Sequence, residues 1–196
     1  MKKMLFVNAC PRKDASRTFA LAKDFLKEFS PDTWEIITQD LNEMNLRSVD
    51  LQTLEMKEKL CDAQAWNDPF FRYAVQFQQA DMVVIAAPYW DLSFPSILKV
   101  WVENMYVRNL TFHYVDDQCI GMCKGTEAVY MTTSGSPIRE NDWGTLYMKA
   151  VLQALGIDHF TSISAEGLDL DGNDANAIMQ EASAKAKKLA QSLAAK

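Results

Sequence analysis

MVVIAAPYWDLSFP, residues 82–95, decides the fold. Its first six residues, Met82 to Ala87, form the most apolar segment of the chain, closed at once by Pro88. A short apolar run of this kind reads as a strand buried on both faces, as in the centre of a parallel sheet. The residues after it are then the loop at that strand's carboxyl end. Pro95-Ser96 opens a helix that carries Ile97, Leu98, Trp101, Val102 and Met105 at helical spacing.

The same unit recurs on either side. Met4 to Ala9 (MLFVNA) is a second buried strand, followed from Ser16 by a helix with Phe19, Ala22, Phe25, Leu26 and Phe29 on one face and Pro31 as its stop. Trp34, Ile36 and Thr38 alternate with polar residues, as in a strand near a sheet edge. Two helical stretches, Gln52–Leu60 and Phe70–Gln79, flank Asn67-Asp68-Pro69. Ala128–Met131 is a further strand, residues 145–155 a helix ending at Gly156, His159–Ala165 a strand, and Ala175–Leu193 a long helix with Ile178, Ala182, Ala186, Leu189 and Leu193 on one face. Alternating strands and helices imply an open, doubly wound, five-stranded parallel sheet with helices on both faces, because parallel strands need crossovers. No repeat, linker or low-complexity tract interrupts it, so residues 1–196 read as one domain.

Composition narrows the function. Twenty Lys and Arg against 26 Asp and Glu leave a net charge of −6, and nucleic acid, whose binding needs clustered positive charge, is not an expected partner. No apolar run reaches the roughly 18 residues of a membrane span. The run after Met1-Lys2-Lys3 is too short for a secretory signal and lacks a small-residue cleavage site. The four cysteines, Cys10, Cys61, Cys119 and Cys123, are dispersed, with no paired knuckles for a metal. The two histidines, His113 and His159, are too few for a metal site. The expected compartment is the cytoplasm.

In open parallel sheets, ligands bind outside the carboxyl ends of the strands, which directs attention to residues 10–18, 88–95 and 132–138. The first reads CPRKDASRT. Ser16 and Thr18 stand where helix N-terminal amides are free, and free amides, hydroxyls and the helix dipole suit a phosphate. Arg12, Lys13 and Arg17 add positive charge. The same serine also fits a plain helix cap. The loop has no glycine, so neither a Walker A loop nor a G-x-G-x-x-G dinucleotide cradle is present. The second loop places Pro88, Tyr89, Trp90, Asp91 and Leu92 after the most buried strand. Its aromatics suit a flat, partly apolar ligand, or packing beneath a helix or partner subunit. The third, Thr132-Thr133-Ser134-Gly135-Ser136-Pro137, offers hydroxyls and a glycine that permits close backbone approach.

These loops, in this order, resemble those of the flavodoxin-like FMN-dependent NAD(P)H oxidoreductases, the group of NADH-azoreductases and quinone reductases. The resemblance spans most of the chain and is strongest from Met82 to Gly135, including Pro95–Lys99 and Leu110–Tyr114. It implies non-covalent FMN, NADH or NADPH as donor, and a quinone or azo compound as small-molecule acceptor. It also implies two-electron ping-pong hydride transfer through the flavin, with no catalytic side chain, and a homodimer. The family's phosphate-binding serines fall on Cys10, Ser16 and Thr18, within the basic loop of Arg12 and Arg17. Its P-x-Y-N-F segment falls on Pro88, Tyr89, Trp90, Asp91 and Leu92, and its S-R-G-G turn on Thr133, Ser134, Gly135 and Ser136. Three departures stand out: Cys10 for a hydroxyl, Trp90 for Tyr, and Asp91 for Asn, the last placing a carboxylate near the negative charge of a reduced flavin.

Two other function classes fit parts of the pattern. A flavodoxin-type electron carrier would bind FMN without turning over nicotinamide, though such carriers are usually far more acidic. A low-molecular-weight thiol phosphatase would use Cys10 as nucleophile, but its cysteine-to-arginine spacing is one residue shorter than Cys10 to Arg17. A flavin-free binding module on the same fold is a third.

Overall fold

Strands and helices are interleaved in the computed structural model, which describes residues 1–138, 140 and 142–195. In chain order the elements are β1 (Lys2–Asn8), α1 (Arg17–Leu26), β2 (Trp34–Asp40), α2 (Leu51–Asp62), α3 (Arg72–Gln79), β3 (Met82–Ala86), α4 (Ser96–Met105), β4 (Phe112–Val115), β5 (Gln118–Gly121), β6 (Glu127–Thr133), α5 (Trp143–Ala154), β7 (His159–Ala165) and α6 (Ala175–Ala194). Five strands form one parallel sheet in the order β2-β1-β3-β6-β7. The chain runs outward from β1 to β2, returns across β1 to β3, and then continues the other way. The crossover direction therefore reverses between β1 and β3, and a crevice opens at their carboxyl ends.

Period-two alternation divides the sheet's side chains between two cores. Met4, Phe6, Val84 and Met131 pack beneath α1 and α6, against Leu21, Phe25, Ala182 and Ala186. Leu5, Val7, Ile85 and Tyr130 face the other way, against Phe77, Trp101, Val102, Met148 and Leu152 of α3, α4 and α5. Small alanines on the inner face of α6 let it lie close to α1. Gly156, at φ +94°, ends the helical turn after α5, as a left-handed C-terminal glycine does.

The alternating segment around Trp34, Ile36 and Thr38 does form an edge strand, β2. Ile36 and Thr38 do not point into the core. In β2 only Trp34 and Gln39 are buried, and Ile36 is 39% exposed. The α1–α6 layer covers β3, β6 and β7 and leaves that face of the β2 edge open. Residues 112–121 form an antiparallel hairpin, β4–β5, turned by Asp116 and Asp117 at φ +47° and +64°. Asp-Asp lacks the glycine that usually marks such a turn, so its pattern is weak.

One buried polar knot ties the edge to the core. The Trp101 indole N–H donates to Gln39 Oε1 at 2.7 Å, while Gln39 Nε2 donates to the Tyr73 carbonyl and to Gln76 Oε1. Trp101 itself is fully buried and packs edge-on against Phe77. Trp101→Phe strands the Gln39 carbonyl and opens a void. It is expected to cost about 2–4 kcal/mol, read as a lower urea midpoint at unchanged slope; a loss below about 0.5 kcal/mol would contradict this account of the knot.

Candidate functional site

The first loop is shaped by hydrogen bonds rather than by glycine. From β1, the Cys10 amide donates to Asn8 Oδ1 at 3.2 Å, and Asn8 Nδ2 donates to Asp40 at the end of β2. Asn42 reaches back from the β2 side, its side-chain N–H donating to the Cys10 carbonyl at 3.2 Å. The chain then turns tightly: the Lys13 amide bonds to the Cys10 carbonyl, Ala15 to Arg12, and Ser16 to Lys13, with Lys13 in the left-handed region at φ +48°. Ser16 caps α1, its hydroxyl accepting from the Phe19 amide at 3.3 Å. The amides ahead of Phe19 have no helical carbonyl within reach, and with the helix dipole they face the crevice.

The second loop leaves β3 alongside β6: the Tyr89 amide donates to the Thr133 carbonyl at 3.0 Å. Trp90 and Ser93 then exchange backbone hydrogen bonds of 3.1 and 2.8 Å. Asp91 and Leu92 sit between them at φ +49° and +65°. This is a type I′ turn, whose central positions ordinarily suit Asn and Gly. A leucine there is strained, by about 1–2 kcal/mol, and the strain lies beside the crevice. Trp90 is 40% and Leu92 66% exposed.

The third loop joins the first through paired hydroxyls, Thr18 Oγ1 and Thr133 Oγ1 2.7 Å apart, both buried. Whichever of them donates, the other keeps a hydrogen to offer onward. The Ser134 amide extends the β7 ladder to the Ala165 carbonyl, and the Leu168 and Asp169 amides return hydrogen bonds to Ser134 and Gly135. Beyond the loop, Glu166 accepts from the Ile138 amide at 2.8 Å and from the Ser164 hydroxyl at 2.7 Å, which holds the loop's exit against β7.

These segments enclose a cavity of about 210 Å³. Ten of the expected site residues line it: Arg12, Ser16, Arg17, Thr18, Pro88, Tyr89, Trp90, Thr133, Ser134 and Gly135. The other four stand outside. Cys10 is turned into the protein, Asp91 and Leu92 form the exposed tip of the turn, and Ser136 is exposed and takes part through its carbonyl, which accepts from the Ser134 hydroxyl. Asp91 therefore points its charge to solvent instead of into the crevice. Pro11, Ala15 and Asp169 also line the cavity. Asp169, with the loop-positioning Asn8, Asp40, Asn42 and Glu166, carried no motif that sequence reading could use. Hydroxyls, amides and two guanidinium groups form one end and aromatic rings the other, a donor set that fits an anionic group attached to a flat ring. Among the described residues, no group of three His, Cys, Asp or Glu is placed to hold a metal.

A family model described as flavodoxin-like fold matches residues 2–190. An FMN-dependent NADH:quinone oxidoreductase of Clostridium beijerinckii is 37% identical across 97% of this chain and 98% of its own. One from Clostridium acetobutylicum is 33% identical over the same shares. Among solved structures, an FMN-dependent NADH-azoreductase from Bacillus anthracis in complex with FMN superposes with a TM-score of 0.86 at 25% identity, covering 99% of this chain and all of the other.

Cys10 is fully buried, its thiol donating to the Ala86 carbonyl at 3.5 Å. Burial pushes the thiol from its ordinary 9.0 up to about 11, only partly offset by the Ser16 hydroxyl. A thiolate nucleophile needs the opposite shift and an open path, so the geometry removes the phosphatase reading. Unfolded, this thiol ionises near 9; folded, it stays neutral to about 11. The stability gained by keeping it neutral is complete below pH 9 and is lost as the pH rises towards 11. Iodoacetamide at pH 8 is expected to label exposed Cys119 first and to spare Cys10 until the chain unfolds. Rapid labelling of Cys10 in the folded protein would overturn the assignment.

Proposed function

The chain belongs to the flavodoxin-like fold family, within the group of FMN-dependent NADH:quinone oxidoreductases, and from that premise we propose that it binds FMN and reduces quinones or azo compounds with NADH or NADPH. The observation that carries the reading is the meeting of the three strand-end loops around one cavity, at the point where the crossover direction reverses. When bound, FMN supplies the relay that accepts a hydride from the nicotinamide and passes two electrons to the acceptor in a second half-reaction.

The residues bind and orient. The first-turn amides of α1, with Ser16, Thr18, Arg12 and Arg17, would hold the phosphate. Tyr89 and Trp90 would wall the ring, and the backbone N–H groups of Gly135 and Ser136, beyond the Ser134 amide that is spent on the β7 ladder, would offer donors to its polar edge. No side chain is asked to give or take a proton, and the donors are fixed by the β3, β6 and β7 ladders. Residues 1–196 act as one FMN-binding domain in this reading, and the compartment is the cytoplasm, where NADH is at hand.

The reading includes a second copy of the chain. At about 210 Å³ the cavity is smaller than the roughly 300–1,000 Å³ of sites that enclose a whole ligand. It suits the polar end of FMN and leaves the ring side open. Trp90 of the cavity wall is exposed, and the second loop's Ser93 and Phe94 share a surface with exposed Trp143 and Leu146, an apolar surface of the kind that partner chains cover.

Replacing Ser16 and Thr18 together by Ala removes a cap and the hydroxyl link to Thr133. FMN affinity, followed by flavin fluorescence under conditions where circular dichroism shows both proteins folded, is expected to fall about tenfold to a hundredfold. Unchanged affinity would place the phosphate elsewhere.

A further inference from the structure

Arg17 is already occupied. Its Nη2 donates to Asp169 Oδ1 at 2.6 Å and its Nη1 to the Leu168 carbonyl at 3.2 Å. Asp169 is held in turn by the third loop. Its amide donates to the Gly135 carbonyl at 2.9 Å. Its second carboxylate oxygen, Oδ2, lies 2.2 Å from where a Cβ on Gly135 would stand. Any side chain at 135 would evict the carboxylate, so the missing Cβ accommodates Asp169 as well as permitting backbone approach.

This places an acidic side chain in the wall of a cavity otherwise lined by donors and rings. Lys13 of the same loop pairs with Glu43, and Lys23 of α1 with Asp14, both away from the crevice, while Arg12 lines the cavity beside Arg17. Among the described residues, only the Arg17 pair has both members in the cavity wall. A phosphate ester arriving there carries about −1.5 to −2 charges and meets a carboxylate well inside the screening length of roughly 8–10 Å. It also needs the guanidinium that this carboxylate holds. The ion pair is partly open to water, with the two side chains 39% and 66% exposed, so exchanging one anion for another is a small step.

We propose that Asp169 is an internal competitor for Arg17, displaced by the phosphate of FMN, and that this exchange sets how tightly the cofactor is held. The inference rests on the FMN reading. Asp169 lowers affinity for the phosphorylated flavin and leaves affinity for the uncharged one untouched, because riboflavin has nothing to offer Arg17.

The test titrates the full chain with FMN and with riboflavin, followed by flavin fluorescence, in wild type, Asp169→Asn, Arg17→Gln and the double variant. Asp169→Asn keeps the size and the main-chain hydrogen bonds and removes the charge. FMN is expected to bind about fivefold tighter to it, the size of an exposed ion pair, with riboflavin affinity unchanged. In the Arg17→Gln background the same substitution is expected to lose most of its effect. Weaker or unchanged FMN binding by Asp169→Asn would overturn the proposal. Equal tightening with and without Arg17 would also overturn it, since that is repulsion through space without competition. A wild-type chain that binds neither flavin would defeat the FMN reading itself, and this inference with it.

Discussion

The hydrogen-bond ladder of the parallel sheet continues past the ends of its strands, and the site depends on that continuation. The Ala9 amide donates to the Ala86 carbonyl, Ala87 to Met131, Tyr89 to Thr133, and Ser134 to Ala165, each at 2.9–3.0 Å. Each loop is thereby held to its neighbour for one to three residues after its strand has ended. Loops that would otherwise wander are fixed at their roots, and they diverge only where the crossover direction reverses. The cavity is the space left by that divergence, and its walls are tied to the sheet at their roots.

Upon this frame, polar groups replace what glycine supplies in other phosphate loops. Asn8 and Asn42 bond to the backbone of the first loop at Cys10, with Asp40 holding both of their side chains from behind, and a succession of tight turns brings Ser16 to the head of α1. The Thr18–Thr133 contact joins this loop to the third, so the two ends of a bound flavin would be positioned by groups in mutual contact. Local backbone preference is overridden beside the site at Lys13 and at the Asp91-Leu92 turn. The Asp91-Leu92 turn is closed by the Trp90–Ser93 backbone pair, and Trp90 stays partly exposed in the cavity wall.

Much of this is legible in the chain. The buried strands announce themselves because every side chain of Met82–Ala86 must be apolar to lie between two helical layers. The helices over them show the matching periodicity, and once the sheet is parallel, the position of the site follows. Other features are silent. Residues 112–121 carry a turn without glycine. The face of β2 depends on where the α1–α6 layer stops, which no local pattern encodes. Cys10 aligns with a hydroxyl position yet turns inward, because the carbonyl of Ala86 lies behind it. Asp169 is far from the first loop in sequence and reaches Arg17 only through the return of the chain from β7 to α6. Contacts of that kind are set by tertiary structure, and a linear reading has no signal for them.

The central claim is tested most directly by an anaerobic titration of the purified, FMN-loaded chain with NADH and then NADPH, following the visible flavin spectrum. The account predicts that a nicotinamide bleaches the bound flavin in one two-electron step and that added quinone restores the colour. Bound FMN that neither nucleotide reduces would contradict it and point to an electron carrier.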